Sequence, residues 1–120
     1  MTTPTLIEAE SLRRAPGAPR LFEGADHGGV ALSFFLVDAA PGEGPALHCH
    51  PYTEVFVVQE GQATFRVGDH VTEAGAEQIV IAPPEQPHRF TNSGTGRLRL
   101  VALHPAGRTE TKWLDTEPAA

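Results

Sequence analysis

Apolar and polar positions alternate in short runs along this chain, and a glycine, proline or aspartate follows most of the runs. The clearest runs are VALSFFLVD, EVFVVQEG, QATFRVGD, EQIVIAP and RLRLVALH. Short runs rich in Val, Ile, Phe and Thr, separated by turn residues at regular spacing, are typical of an all-β sandwich or barrel. The 12 glycines and 11 prolines lie mainly between runs, where they end strands. The sequence therefore predicts an all-β fold with little helix.

The alternation also predicts which side chains face inward, because successive residues of a strand point to opposite faces. In QATFRV the inward residues include Ala63 and Phe65. In RLRLVALH the inward face ends at His104, while the outward face becomes apolar at Val101 and Leu103. A strand that is apolar on both faces predicts that a second sheet or a partner subunit covers its outer side.

The chain of 120 residues has the length of one compact domain. We expect residues 1–20 to form an arm with at most one short helical turn, which could contribute to a dimer contact. Residues 21–114 are expected to form the domain itself, with Trp113 packed on it. Residues 115–120 are expected to form a frayed tail.

Charge and composition exclude several classes of function. The net charge is −6 and Lys112 is the single lysine, which argues against a nucleic-acid-binding protein because such proteins cluster basic residues on one face. No apolar run approaches the length of a membrane span, and no signal-peptide pattern is visible in the sequence. Cys49 is the single cysteine, so no intramolecular disulfide can form. We therefore expect a cytoplasmic protein without membrane or nucleic-acid partners.

Two histidines and a glutamate lie close together in the segment HCHPYTE. His48 and His50 are two residues apart, so that on a strand both imidazoles point to the same face. Glu54 joins them if the strand resumes after Pro51, or if a bend there turns the carboxylate back toward the histidines. Divalent metals bind imidazole nitrogen and carboxylate oxygen at roughly 2.0–2.2 Å. The HxH pattern alone fits equally well two half-exposed histidines beside a solvated carboxylate.

The spacing around this segment resembles that of the cupin superfamily. From Gly42 to Gly61 the chain reads G-x5-H-x-H-x3-E-x6-G, which is similar to the first cupin motif at every spaced position. The later segment PPEQPHRFTN, with His88, resembles the second motif, P-x-G-x2-H-x3-N. The resemblance extends from about Leu21 to Trp113. It implies a double-stranded β-helix, the jelly-roll barrel of cupins, for the domain.

The resemblance also implies a metal site. Its ligands would be His48, His50, Glu54 and His88, and its ion one divalent transition metal among iron, manganese, nickel, copper and zinc. Two positions depart from the motifs, since Glu77 and Glu85 stand where glycines are usual. Those departures concern turn geometry and the rim of the pocket, and no ligand position is lost.

Other residues are candidates for the substrate pocket. The candidate residues are Phe34, Leu36, Tyr52, Phe56, Phe90 and His104. Sequence does not separate pocket from core for the aromatic residues, and His104 could equally be a structural histidine or a partner of a metal ligand. Cys49 should point away from the histidines as a small packing residue. His27 and His70 lie in turn segments and are expected to be exposed.

Three functions fit the resemblance. The first is a metal-dependent oxidoreductase of dioxygenase type acting on a small organic molecule, with Glu54 tuning the metal or acting as a base. The second is a non-redox isomerase, cyclase or lyase; Phe56 stands where lyases that cleave sulfonium substrates often carry tyrosine, which counts against that branch. The third is a small-molecule binding module without turnover. The resemblance also implies a homodimer.

Overall fold

Ten strands form two antiparallel sheets in the computed structural model, which describes residues 3–114. The strands are β1 (Arg20–Glu23), β2 (Ser33–Ala39), β3 (His48–Cys49), β4 (Glu54–Glu60), β5 (Gln62–Val67), β6 (His70–Gly75), β7 (Ile79–Ala82), β8 (His88–Asn92), β9 (Leu98–His104) and β10 (Lys112–Trp113). One sheet has the order β1-β2-β9-β4-β7 and the other the order β10-β3-β8-β5-β6. Helix in this part of the chain is limited to two 3-10 turns, Ala9–Leu12 and Gly24–Asp26. The predicted all-β, double-stranded β-helix fold is confirmed.

The inner faces of the two sheets meet in one apolar core. The alternation expected for β5 is confirmed, with Ala63 and Phe65 buried and their neighbours only partly so. The same holds for β9, where every second residue from Leu98 to His104 is buried. Three phenylalanine rings pack together in the core, because Phe65 lies 5.0 Å from Phe56 and 5.7 Å from Phe90 between ring centroids.

The outer face of the first sheet is apolar over part of its area, beyond the exposed pair Asp38 and Arg99. Leu103 pairs with Phe34 on one side and with Val55 on the other, and Val55 in turn pairs with Ile81. Ile81 lies on the edge strand and is 61% exposed. The sequence expectation that β9 is apolar on both faces is therefore confirmed, while the covering partner subunit stays a prediction.

The turns keep glycine-like geometry even where the motif glycines are replaced. Gly61 joins β4 to β5 at φ 90°, and a Cβ there would lie 2.3 Å from the carbonyl oxygen of Arg97. Glu77 and Glu85 adopt φ of 70° and 65°, in the left-handed region that glycine would occupy at low cost. The Glu85 N–H donates a hydrogen bond of 2.7 Å to the carbonyl oxygen of His50. The replacements therefore preserve the turns and add backbone strain.

The two ends of the described chain pack on the barrel. The arm includes the 3-10 turn Ala9–Leu12, and Arg13 donates to the Glu10 carboxylate and to the Ala18 carbonyl. β1 begins at Arg20, so this last residue of the expected arm is part of the barrel. The expected frayed tail lies outside the described residues. Within the described part of the chain, no helix is long and apolar enough to cross a membrane.

Candidate metal centre

Four side chains from three strands and one bend converge at one end of the barrel. His48 and His88 face each other across β3 and β8. His50 follows β3 directly, and Glu54 is the first residue of β4. All four are buried, and one ligand atom from each lies within 4.8 Å of the others. The structure thus brings together the residues that the cupin resemblance implies as ligands.

Backbone carbonyls fix the orientation of the three imidazoles. The Nδ1 atoms of His48 and His88 lie 2.7 and 2.9 Å from the carbonyl oxygen two residues earlier in the chain. The Nδ1 atom of His50 lies 2.9 Å from the carbonyl oxygen of Glu110. A carbonyl only accepts hydrogen bonds, so each Nδ1 carries a hydrogen and a neutral ring keeps its lone pair on Nε2. This is the tautomer in which a histidine binds metal through Nε2.

The Nε2 atoms face one carboxylate oxygen. Oε1 of Glu54 lies 2.9 Å from Nε2 of His50 and 2.9 Å from Nε2 of His88. Nε2 of His50 is buried without an aligned hydrogen-bond partner. Lone pairs that face one another at this distance repel unless a cation, either a proton or a metal ion, lies between them. Two ligand atoms at right angles around an ion, each at ~2.1 Å, are about 3.0 Å apart, so the observed spacing fits a shared metal.

The electrostatics of the cluster favour an ionised Glu54 and a neutral His48, the states that a metal needs, and a protonated form of His50 that a metal would displace. Burial alone would raise the pKa of Glu54, but the imidazoles of His104, His50 and His88 outweigh it and hold the pKa well below its usual range. Burial, with the neighbouring imidazoles, lowers the pKa of His48 to about 4. Burial opposes protonation of His50, yet its contact with Glu54 raises its pKa. At neutral pH the site therefore contains an ionised carboxylate and a neutral His48 with a free lone pair.

A cavity of about 510 Å³ opens onto this cluster. His48, His50 and Glu54 of the cluster belong to its polar part, as does His104. Its apolar walls include Phe35, Val37, Phe56, Phe90, Ala102 and Trp113. The N-terminal arm contributes residues 17–19 and Arg13 to the lining. The cavity therefore combines a mostly apolar wall with a small set of convergent polar groups, as binding sites for small molecules do.

The structure places the six candidate pocket residues differently. Four of them line the cavity: Leu36, Phe56, Phe90 and His104. Phe34 does not, which corrects the sequence expectation. On β2 it is the side chain of Phe35 that points inward. Its ring centroid lies 5.4 Å from that of His104. Phe34 instead points to the outer face, where it stacks on Phe22 at 4.7 Å.

Tyr52 lies behind the cluster and is absent from the cavity lining among the described residues. Its ring stacks on His50 with centroids 5.2 Å apart and an angle of 3° between the planes. Its phenol oxygen lies 2.6 Å from Nδ1 of His104 and accepts a hydrogen bond of 3.1 Å from the Glu110 N–H. Burial raises the pKa of Tyr52, so the phenol stays protonated at neutral pH.

His104 is part of the cluster, an alternative that the sequence left open. Its Nε2 atom lies 3.1 Å from Oε2 of Glu54, and its ring centroid lies 4.7 Å from that of His50. The inward parity of β9 pointed to a buried side chain, but no local pattern could indicate that it meets Glu54. The ring of Trp113 lies 4.9 Å from that of His48. No local sequence pattern indicated this contact either.

The remaining candidate residues lie away from the cluster. Cys49 is buried on the other face of β3 and lines a smaller cavity of about 180 Å³. His70 is exposed, as expected. The same expectation was wrong for His27, which is half-buried because its ring stacks on Phe22 at 4.6 Å.

Comparison with known proteins decides the family. The family model of the cupin domain matches residues 35–104. This chain belongs to the cupin family. The matched segment contains all four residues of the candidate metal cluster and His104.

Two curated relatives of this cupin are polyketide synthase proteins. It is 32% identical over 93 residues to the tetracenomycin polyketide synthase protein TcmJ of Streptomyces glaucescens, an alignment that covers 73% of this chain and 62% of that protein. It is 36% identical over 83 residues to the polyketide synthase CurC of Streptomyces cyaneus, covering 67% of this chain and 54% of that protein. The cupin thus spans less than two thirds of the length of either relative.

A solved structure extends the likeness over the whole fold. A conserved protein with a double-stranded β-helix domain from Klebsiella pneumoniae superposes with a TM-score of 0.74 and 24% identity. The alignment covers 95% of this chain and 100% of that one. At this identity the likeness shows the fold alone.

Proposed function

We propose that this cupin is a metal-dependent enzyme acting on a small organic molecule that carries an enol, phenol or related oxygen. The observation that carries the proposal is the convergence of three imidazoles and one carboxylate, all buried, beside an apolar cavity of about 510 Å³. A cluster with a purely structural role would not require three Nδ1–H hydrogen bonds that leave the Nε2 lone pairs facing an anion.

The residues of the cluster have two proposed roles, which are metal binding and proton transfer. His48, His50, His88 and Glu54 would hold one divalent ion, with iron, manganese, nickel, copper and zinc as candidates. When bound, such an ion supplies a Lewis acid that makes an enol or phenol oxygen more acidic, and a redox-active ion also supplies electron transfer. Glu54 contributes the single negative charge of the four ligands. It is also the candidate base that takes a proton from the substrate.

The walls of the cavity indicate the shape of the substrate. Phe35, Phe56 and Phe90 present rings or ring edges to the cavity, and Trp113 lies at its β10 side. Such walls bind a flat, apolar body and exclude water from the polar end. Exclusion of water strengthens the electrostatic effect of Glu54 on any charge that forms there. The substrate class is therefore an apolar, planar molecule with oxygen at one edge.

Two chemistries meet this description. The oxidoreductase of dioxygenase type follows from the cupin resemblance. The non-redox isomerase, cyclase or lyase is favoured by the names of the two curated relatives, both polyketide synthase proteins, because a polyketide chain carries keto groups that can enolise. A ring closure on such a chain needs an activated enol and a base, which the metal and Glu54 would supply. We therefore place the non-redox reaction on enolic substrates first and the dioxygenase second.

Loading the protein with defined metals separates these functions. The metal-free protein is loaded with zinc or iron(II) and incubated with a panel of aromatic enols, catechols and polyketide-like triketones, while oxygen uptake and product masses are followed. Turnover with zinc, without oxygen uptake, is the expected result. Turnover that requires iron and oxygen would establish the dioxygenase instead. Tight binding without any chemical change would reduce the protein to a binding module and contradict the enzyme proposal.

We propose that the outer face of the first sheet forms the interface of a homodimer. The proposal is supported by the apolar row that contains Phe34, Leu103, Val55 and Ile81 and by the absence of charge from these four side chains. Light scattering of the purified protein tests it: a dimer is expected for the wild type, and Ile81→Glu should yield monomers. A wild-type monomer at micromolar concentration would contradict it.

A further inference from the structure

Among the buried histidines around Glu54, one differs from the others in what its Nδ1 atom contacts. His48, His50 and His88 each direct Nδ1 at a backbone carbonyl oxygen, at 2.7, 2.9 and 2.9 Å. His104 directs Nδ1 at the phenol oxygen of Tyr52, 2.6 Å away. A carbonyl only accepts a hydrogen bond, whereas a phenol can also donate one. The four imidazoles therefore divide into three of one kind and one of another.

A backbone N–H decides how the Tyr52 hydroxyl is used. The Glu110 N–H donates to the phenol oxygen at 3.1 Å. The hydroxyl proton of Tyr52 is then left to donate, and Nδ1 of His104 is the acceptor that the structure places against it. Nδ1 is therefore unprotonated, and neutral His104 carries its proton on Nε2.

The other side of the His104 ring selects the same tautomer. Nε2 lies 3.1 Å from Oε2 of Glu54 and has no aligned hydrogen-bond partner among the described residues. A hydrogen on Nε2 beside an anionic oxygen is favourable, whereas an Nε2 lone pair at that distance would face the lone pairs of Oε2. Both neighbours of the ring thus favour a proton on Nε2, the atom that faces Glu54.

The carboxylate of Glu54 is consequently shared between two tasks. Oε1 lies 2.9 Å from Nε2 of His50 and of His88, while Oε2 faces His104. A carboxylate held in this way can bind an ion at the ligand histidines through Oε1, while Oε2 stays in contact with His104. A histidine that donates from Nε2 has no lone pair there for a metal.

We propose that His104 is a positioning residue that holds Glu54 for metal binding through one oxygen, and that Tyr52 supports the tautomer of His104 by donating to Nδ1. His104 is therefore excluded as a fifth ligand. The inference rests on the proposed function in one respect, because it takes the metal to bind at Glu54. Removal of such outer partners commonly weakens metal binding by about 10- to 100-fold.

The tautomers are read from the imidazole nitrogen chemical shifts of the isotope-labelled, zinc-loaded protein. We expect a protonated Nε2 for His104 and a protonated Nδ1 for His48, His50 and His88. Tyr52→Phe removes the hydroxyl that donates to Nδ1 and should move the Nδ1 chemical shift of His104 toward that of a nitrogen without a hydrogen bond, while Nε2 stays protonated beside Glu54. Zinc-bound Nε2 on His104, a protonated Nδ1 on wild-type His104, or an Nδ1 chemical shift that Tyr52→Phe leaves unchanged would overturn the proposal.

Zinc affinity, measured by competition with a chelator, separates positioning from a structural role. His104→Leu should weaken binding about 10-fold or more, and His104→Gln, whose amide N–H can still donate to Glu54, should recover most of that loss. His27→Gln, a matched change on the outer face, should leave the affinity unchanged. Equal losses in the Leu and Gln variants, or no loss in either, would contradict the proposal. Neither measurement uses a substrate, so a failure of turnover bears on the proposed function and not on His104.

Discussion

The interior of the barrel has two ends that are built from opposite kinds of side chain. At one end β4 begins with Glu54, β8 begins with His88 and β9 ends with His104, so that three strands place a polar group at one level. Farther along, the interior is apolar and contains Phe65 and Leu98, which are 1% and 0% exposed. The alternation of inward and outward residues continues through both ends.

The two ends depend on different physical interactions. At the polar end the ionised state of Glu54 depends on its imidazole neighbours, and loss of one partner leaves a buried charge less compensated. At the apolar end Phe65 contributes buried area and packing volume, with no polar partner to satisfy. A change at the apolar end should therefore lower stability and leave the metal affinity of the folded protein unchanged. Loss of His48, which is not among the hydrogen-bonding neighbours of Glu54, should lower metal affinity and have little effect on the stability of the metal-free protein.

The largest effect is expected at the apolar end. Phe65→Ala should lower the free energy of unfolding by about 3–5 kcal/mol, because it leaves a cavity between Phe56 and Phe90. Phe65→Leu, which keeps most of the volume, should cost about 1–1.5 kcal/mol and still fold. Urea unfolding of the metal-free protein measures both. A Leu variant with impaired zinc binding would show that the two ends are coupled and would contradict the comparison.

At the polar end the expected loss is one of metal affinity. His48→Ala should weaken zinc binding by more than about 100-fold, since it removes a proposed ligand, while the metal-free protein unfolds at nearly the wild-type urea concentration. Cys49→Ala is the matched control, because this side chain is buried on the other face of the same strand. Equal effects of the two substitutions on zinc affinity would remove the distinction between the faces of β3.

Glu23, a second buried carboxylate, tests how a buried charge depends on its partners at a position outside the metal cluster. Glu23 accepts hydrogen bonds from the Thr109 N–H and from Arg14, which lower its pKa although burial opposes them. Its folded pKa lies below the unfolded value, so its stabilisation is present above the unfolded pKa and is lost as pH falls through the folded pKa. Glu23→Gln should cost about 1–2 kcal/mol at neutral pH, with the same zinc affinity. Urea unfolding from pH 7 to 3 should show this cost shrinking; a cost that stays constant would contradict the assignment.

The smallest effect concerns the turn between β7 and β8, which contains Glu85 and precedes His88. Glu85→Gly should raise the free energy of unfolding by about 0.5 kcal/mol, because relief of the left-handed strain exceeds the entropy cost of glycine. Glu85→Ala removes the same charge and keeps the strain, so it should bring no gain. Thermal unfolding distinguishes the two, and an equal gain from alanine would assign the effect to charge.

Strand pattern alone predicted the all-β class, and the resemblance to the cupin motifs predicted the double-stranded β-helix. Period-two alternation in QATFRV and RLRLVALH predicted the inward residues correctly, because both runs carry polar residues that set the phase. In VALSFFLVD the pattern sets no phase, because the adjacent phenylalanines make both faces equally hydrophobic. Phe34 was assigned to the pocket, and Phe35 occupies that place.

The spacing of residues along the sequence predicted only part of the candidate site. His48, His50 and Glu54 lie within seven residues, and the second motif supplied His88. The contact of Tyr52 with His104 joins residues 52 positions apart. Such a contact depends on how the two sheets close, which no local pattern specifies. The same holds for the part that the N-terminal arm takes in the lining of the cavity, which no local pattern indicated.

The central claim is that His48, His50, Glu54 and His88 hold a metal ion, and the metal content of the protein tests it most directly. The protein is prepared without a nickel affinity tag and examined by elemental analysis beside His48→Ala. We expect about one divalent transition metal per wild-type chain and almost none in the variant. A wild-type protein that is free of metal and fails to bind added zinc, manganese or iron(II) would contradict the claim.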